Sequence, residues 1–315
     1  MPSIPLDRAA GCFLGLALGD ALGQPLEFVR GPAVRTTPVS LAPGRFRWTD
    51  DTHMALYLAE ALLAQPAGPL DPERFGREVG ARFVAWLHDP LTPSTAPGGT
   101  CLRGARAFER GGDWHTSGDP SSDGCGAVMR IAPLAVGLEG EDLLEAARVQ
   151  AVVTHAHPNA VEAAVAGSWL CRAALEAGRF EADMVREAIA RLRGPWARGG
   201  SMAASLEGAL VAARGDWLDE GAVPPGDGGW RAGSALGLAV AAALRWGGDF
   251  ATAVDKAARI DGDSDSVACL CGMLLGAAGG TAVLPAAWLA VLPERARIED
   301  LARRLATRTE SVSGP

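Results

Sequence analysis

Residues Gly262-Asp263-Ser264-Asp265-Ser266 put two carboxylates and two hydroxyls into five positions, directly ahead of an apolar run from Val267 to Ala278. Aspartates two apart can turn toward one ion from a tight turn, and an all-oxygen donor set suits Mg2+ or Mn2+ better than zinc, which favours Cys and His. The same residues also suit a helix N-terminus, where Asp and Ser cap free amides and negative charge is stabilised. A second cluster, Thr49-Asp50-Asp51-Thr52, stands in the same relation to another apolar helical stretch. Should folding bring Asp50, Asp51, Asp263 and Asp265 together, four carboxylates repel unless cations neutralise them. Two divalent ions about 3.5–4 Å apart would balance that charge, with the Thr49 and Ser266 hydroxyls completing the shells. Two unrelated capped helices is the alternative reading.

Three further groups could do chemistry. Glu27 lies between Leu26 and Phe28, apolar flanks that could desolvate it and raise its pKa toward general acid/base work. The stretch Ser122-Asp123-Gly124-Cys125-Gly126-Ala127-Val128-Met129-Arg130 reads as a glycine-bearing loop opening a helix, where successive amides can hold phosphate oxygens. Thr154-His155-Ala156-His157-Pro158 sets two imidazoles before a proline suited to the first helical turn. No Cys or further His stands near them, so substrate contact or capping is favoured over zinc.

The elements that must position these groups read as nearly all helix. Alanine is abundant, β-branched and aromatic residues are sparse, and apolar residues recur at helical spacing. Helices are predicted over Leu6–Leu22, His53–Ala64, Pro72–Leu87, Thr100–Arg110, Val128–Gly137, Asp142–Val153, Pro158–Ala177, Asp183–Leu192, Met202–Ala213, Trp230–Trp246, Phe250–Ile260 and Ser266–Gly279. A terminal pair follows around Leu284–Leu292 and Ile298–Ala306. Gly11, Gly15, Gly19 and Gly23 share one face of the first helix, and since each costs roughly 1 kcal/mol in a helix interior, close approach by a second helix is expected. Four long loops, 31–48, 89–99, 111–126 and 214–229, are expected to carry function. Without a linker or repeat, the chain reads as one domain over 1–315, with its core at about 6–306 and a disordered tail at 307–315.

Lys and Arg number 29 against 37 acidic residues, a formal charge of −8, which argues against a nucleic-acid-binding surface. Cysteines at 12, 101, 125, 171, 269 and 271 form no C-x-x-C pair, the pattern of reduced thiols in a cytoplasmic protein. The apolar run Gly11 to Leu18 is bracketed by Asp7 and Asp20 and lacks a small-residue cleavage site, so it does not read as a signal segment. No stretch reaches the roughly 18 apolar residues of a membrane span.

Taken in order, five motifs resemble the ADP-ribosylglycohydrolase family, almost end to end. They are Gly11 to Gly23 with Glu27, Trp48-Thr49-Asp50-Asp51-Thr52, Gly124 to Arg130, Thr154-His155-Ala156-His157-Pro158, and Asp261 to Ser266. The resemblance extends through Leu284-Pro285 and Trp288 to about residue 305. It implies an all-α compact orthogonal multi-helix bundle with a binuclear cleft for two Mg2+ or Mn2+ ions. Thr49, Asp50, Asp51, Asp263, Asp265 and Ser266 would be metal ligands, and Glu27, Asp50 and Asp263 catalytic. Gly124, Cys125, Gly126, Val128 and Met129 would hold the diphosphate, and His155 or His157 would face the ribose. Trp114 and Trp230 are the loop aromatics available to stack on adenine.

The activity so implied is metal-dependent hydrolysis of the glycosidic bond between ADP-ribose and a modified protein side chain, arginine favoured, by a monomer that releases ADP-ribose. A non-hydrolytic ADP-ribose binder or structural relative is the runner-up, and a metal-dependent phosphohydrolase a third reading. Departures from the family pattern are serines at 264 and 266 where threonine is common, His53 in place of glutamine, and Asp123, whose charge would repel a diphosphate.

Overall fold

Glycine at every fourth position of the first helix allows backbone to touch backbone. A Cβ added at Gly11 would come within 2.5 Å of Gly276 O, at Gly15 within 2.2 Å of Gly272 O, and at Gly19 within 2.0 Å of Ala268 O. At Gly23 it would meet Ser264 O at 2.4 Å. The partner positions rise as the first helix's fall, so the two helices run antiparallel. The end of the first therefore lies against the Asp263–Ser266 end of the other.

The computed structural model describes residues 4–42, 44–66, 68–215 and 227–308. Its α-helices are α1 Leu6–Gly23, α2 Ala33–Thr36, α3 Asp50–Leu63, α4 Pro72–Leu87, α5 Gly99–Gly111, α6 Ala132–Gly137, α7 Gly140–Val152 and α8 Pro158–Ala177. There follow α9 Ala182–Leu192, α10 Met202–Ala212, α11 Ala232–Trp246, α12 Phe250–Ala258, α13 Ser264–Gly279, α14 Ala286–Leu289 and α15 Arg295–Arg308. The described residues contain no strand, only isolated bridges from Asp119 to His155 and from Gly124 to Arg231. The fold is all-α, as expected. No helix among these residues is long and apolar enough to cross a membrane.

α13 is buried along almost its whole length and forms the spine of the bundle, with α1, α8, α11 and α12 packed around it. Small side chains make this possible, since Ala, Gly and Cys dominate its surface and let neighbouring axes come close. Large side chains fill a second region, where Phe75, Phe83, Trp86 and Trp114 are fully or almost fully buried. The described cysteines are all free thiols.

Most predicted helices appear within a few residues of their expected bounds, but three expectations change. Val128–Gly137 is not one helix: a 3-10 turn covers Cys125–Ala127, and α6 starts only at Ala132. Pro133 has no amide to bond back to Met129 and its ring would clash there, so the helix begins around it. α3 begins at Asp50 rather than His53, because Asp20 anchors the first turn, as described below. α15 runs to Arg308, two residues into the expected tail; residues 309–315, like most of the expected loop at 214–229, lie outside the described residues.

Candidate functional site

An aspartate inside an otherwise apolar helix organises one half of the site. Asp20 is fully buried in α1 and accepts from Thr49 N at 2.8 and 3.0 Å, Thr52 N at 2.9 Å and Thr52 Oγ1 at 2.6 Å. It thus satisfies amides at the start of α3 that have no partner within the helix. Thr49 is the N-cap and accepts from Asp51 N. Asp50 and Asp51, freed from capping, stand in the first turn. Asp50 N donates to Thr95 O at 2.8 Å, and Gly98 N donates to Asp50 Oδ2 at 3.0 Å. The chain makes this turn through Ala96, whose φ of +52° lies in a region rarely adopted by a residue with a Cβ.

The other half starts at Asp263, the N-cap of α13, whose carboxylate makes no capping bond to that helix. It accepts instead from Cys125 Sγ at 2.8 Å and hydrogen-bonds Asp265. Asp265 Oδ1 accepts from Ser266 N at 3.0 Å. Asp263 N donates to Gly228 O at 2.8 Å, which fixes the preceding turn. The site side chain of Asp263 is therefore not explained by helix capping.

Glu27, Asp50, Asp51, Asp263, Asp265 and Ser266 line one cavity of about 250 Å3, closed on its other wall by Gly124–Gly126, Met129, His155 and Trp230. A larger cavity of about 530 Å3 opens at the far end of α13, but its charged residues Arg179, Glu181, Arg245 and Asp249 are not buried and gather no carboxylate cluster. The chemistry is concentrated in the smaller one. Glu27 hangs from a strap after α1. Gly31 N donates to Asp261 Oδ2 at 2.8 Å, Arg30 pairs with Asp261 at 3.5 Å, and Phe28 stacks on Trp230 with centroids 6.2 Å apart.

Gathering acids in a buried place makes ionisation costly. Burial, with the charges of Asp265, Asp50 and Asp20, raises Glu27 to about 9. Burial lifts Asp50 to about 8 against the opposing Gly98 amide, and burial with Asp265 lifts Asp20 to about 7. Asp51 and Asp263 are pushed up by burial and by their neighbours' charges. Glu27 Oε2 and Asp51 Oδ2 are buried without a hydrogen-bond partner among the described residues. Orphaned oxygens at such a cost call for an occupant. No three His, Cys, Asp or Glu side chains of the described residues already stand gathered around an ion position. Asp20, Asp50, Asp263 and Asp265 each accept from a protein donor. The donor set, hard oxygens in excess of positive charge, fits Mg2+ or Mn2+.

The remaining expectations divide. His155 lines the cavity, whereas His157 is the N-cap of α8, its Nδ1 accepting from Asn159 N at 3.1 Å, and lies outside the lining. Val128 is buried behind the wall, and Trp114 packs on Gly76 away from it, leaving Trp230 as the aromatic of the cavity. The Cys125 amide is committed to Trp230 O at 3.1 Å, so the glycine loop offers fewer free amides than a helix N-terminus would. Asp123 approaches Asn159 at 3.4 Å and Arg231 at 3.8 Å and does not line the cavity, which removes the expected repulsion. Sequence reasoning passed over Asp20 as a site residue, although a lone acid in an apolar helix was the available signal. Gly98, Thr100 and Cys101 of the wall carried no signal.

The sequence model of the ADP-ribosylglycohydrolase family matches residues 1–314. A solved structure described as an ADP-ribosylglycohydrolase-related protein complex superposes with a TM-score of 0.72 at 30% identity, covering 96% of this chain and 98% of that one. An ADP-ribosylarginine hydrolase of Pseudomonas putida is 28% identical over 99% of this chain and 81% of its own. The ADP-ribosyl-[dinitrogen reductase] glycohydrolase of Rhodospirillum rubrum is 35% identical over 48% of this chain and 52% of its own. The chain belongs to the ADP-ribosylglycohydrolase family, hydrolases that act on ADP-ribose glycosyl bonds.

Proposed function

We propose that this protein removes ADP-ribose from modified protein side chains, arginine first among them, with two Mg2+ or Mn2+ ions held by Thr49, Asp50, Asp51, Asp263, Asp265 and Ser266. The observation that carries the reading is the convergence of two acidic helix starts, α3 and α13, on one cavity that also holds Glu27. Names of the relatives support the substrate class, since one acts on ADP-ribosylarginine and another on ADP-ribosyl-dinitrogen reductase. When bound, the ions would supply Lewis-acid charge that orients the ribose hydroxyls and favours ionised oxygen at the reacting centre.

The chain's own residues do the rest. Asp20 holds Thr49 and Thr52 so that Asp50 and Asp51 face the cavity, and Cys125 holds Asp263. A cavity of about 250 Å3 takes the reacting sugar, with Trp230 in its wall as the aromatic available to the rest of ADP-ribose. Burial holds the Glu27 carboxyl above the usual carboxylate range, which suits it to exchange a proton near neutrality. In hydrolysis the C1″ bond to the side-chain nitrogen breaks, water adds to C1″, and the proton lost by that water ends on the departing nitrogen. In this reading Glu27 handles that proton.

The test is release of ADP-ribose from arginine-, serine- and ester-linked substrates, with Mg2+, with Mn2+ and after chelation. Asp50→Ala and Asp263→Ala are expected to lose turnover on every substrate while retaining the helical circular dichroism of the wild type. Wild-type-like turnover in either variant, or full activity after chelation, refutes the proposal.

A further inference from the structure

Arg130 is fully buried, and among the described residues its hydrogen-bond partners include no carboxylate. Its Nε donates to Gln150 Oε1 at 2.8 Å, and its Nη2 donates to Gln150 O at 3.0 Å and to Thr154 Oγ1 at 2.8 Å. Phe83 lies under the guanidinium at 4.3 Å. Gln150 is itself oriented by donating to Ala127 O at 2.8 Å, so the guanidinium plane has little freedom. Thr154 Oγ1 in turn lies 2.8 Å from His155 Nδ1.

Counting donors assigns the protons along this chain. Arginine can only donate, so Arg130 uses a lone pair of Thr154 Oγ1 and the hydroxyl hydrogen must point elsewhere. Among the described residues the other hydrogen-bond partner of that oxygen is His155 Nδ1. Although Oγ1 has a second lone pair, a buried hydroxyl hydrogen left without an acceptor is costly, so the hydroxyl donates to Nδ1, and the single proton of a neutral imidazole is left on Nε2. That edge of the ring faces the glycine loop: a Cβ at Gly126 would lie 3.2 Å from Nε2, and one at Gly124 would lie 3.4 Å from it. Both positions lack a side chain, and His155 lines the cavity. Burial, reinforced by the Arg130 charge, depresses His155 to about 3, consistent with a ring that stays neutral at working pH.

We infer that Arg130 and Thr154 are positioning residues that lock His155 as the Nε2–H tautomer, so that it presents a fixed N–H donor to an acceptor oxygen of the bound ADP-ribosyl group. This rests on the proposed function for the identity of the ligand, but the lock is a property of the ligand-free protein. It assigns His155 a donor role in binding, distinct from general base or metal ligand, since both of those need a free lone pair on Nε2.

The lock is read directly by long-range proton–nitrogen NMR on ligand-free protein carrying 15N-histidine, with His155 assigned by its loss in His155→Gln. Nδ1 should resonate as the unprotonated nitrogen and Nε2 as the protonated one. A wild-type spectrum with the proton on Nδ1, or with both nitrogens protonated at neutral pH, overturns the inference. Thr154→Val should mix the two tautomers and weaken ADP-ribose binding about tenfold, the worth of one hydrogen bond, while Thr154→Ser restores both. His155→Gln, with an amide N–H near the place of Nε2, should stay within a few-fold of wild type, and His155→Asn should lose about tenfold. Equal binding by all four variants overturns the donor role. Failure of the wild type to bind ADP-ribose would overturn the proposed function and the donor role together, with the ligand-free tautomer still deciding the lock.

Discussion

Gly19→Ala should be among the most damaging single-methyl changes in this protein. The new Cβ would lie 2.0 Å from Ala268 O, 2.5 Å from Ala268 C and 2.8 Å from Cys269 N, all backbone atoms of α13. No side chain can swing aside, so the helices must part by more than an ångström and loosen the neighbouring contacts at Gly15 and Gly23. Overpacking of this kind costs about 3 kcal/mol, against which alanine's better helix propensity returns about 1 kcal/mol. A net loss of about 2 kcal/mol is expected. Gly208→Ala is the matched control. That position is helical and exposed, and an added Cβ meets nothing within 4 Å. It should gain about 0.5–1 kcal/mol from propensity alone. Urea unfolding followed by far-ultraviolet circular dichroism measures both through the shift in midpoint at constant slope. Opposite signs for one chemical change are the signature of backbone contact between α1 and α13. If Gly19→Ala is neutral or stabilising, the close packing is wrong. The parting of α1 from α13 should also reduce turnover beyond any loss of folded protein, because Asp20 and Asp265 sit on the two sides of that seam.

Two other expectations concern the acids and the glycine loop. Asp20 and Asp50 have folded-state pKa values of about 7 and about 8, above the roughly 3.9 of an unfolded aspartate, so the stability linked to their protonation is fully present below pH 4 and is lost as pH rises through 7 to 8. In chelator, the melting temperature should fall between pH 5 and 9, each such group contributing up to about 1.4 kcal/mol per pH unit, and saturating Mg2+ should reverse the fall most strongly at the alkaline end; a flat profile unaffected by Mg2+ contradicts this. In Gly126→Ala the added Cβ would meet Cys101 Sγ at 2.6 Å and His155 Cε1 at 2.7 Å, side-chain rather than backbone atoms, so the fold should persist while the His155 ring is pushed from its hydrogen-bonded place and ADP-ribose affinity falls about tenfold. Titration calorimetry distinguishes this from unchanged binding.

How far the site was legible followed the range of the forces involved. The clusters Thr49-Asp50-Asp51-Thr52 and Gly262 to Ser266 were visible because their donor types are local in the chain. The glycine spacing at 11, 15, 19 and 23 was visible because a helix repeats its faces every three to four residues. Helix bounds were legible except where a buried partner or a proline intervened: Asp20 extends α3 back to Asp50, and Pro133 delays α6 to Ala132. His155 and His157 could not be told apart in the sequence, since positions two apart in one loop differ only in which way the chain turns.

By itself, then, the sequence determined that the protein is all helix, that α1 must meet another helix at its backbone, that hard oxygen donors head two helices, and which family the motifs resemble. Helical periodicity, glycine's missing side chain and carboxylate chemistry act over a few residues, so pattern alone suffices for them. Only the tertiary structure decided that α13 is the helix that meets α1, that Asp20 meets Thr49 and Thr52 at the start of α3, and that Glu27 shares one cavity with Asp263 and Asp265. It also decided that Arg130, far inside, sets the proton of His155 through Thr154. Those pairings join residues distant in the chain, and they exist because burial strips water from polar groups and leaves each to find its partner in the fold.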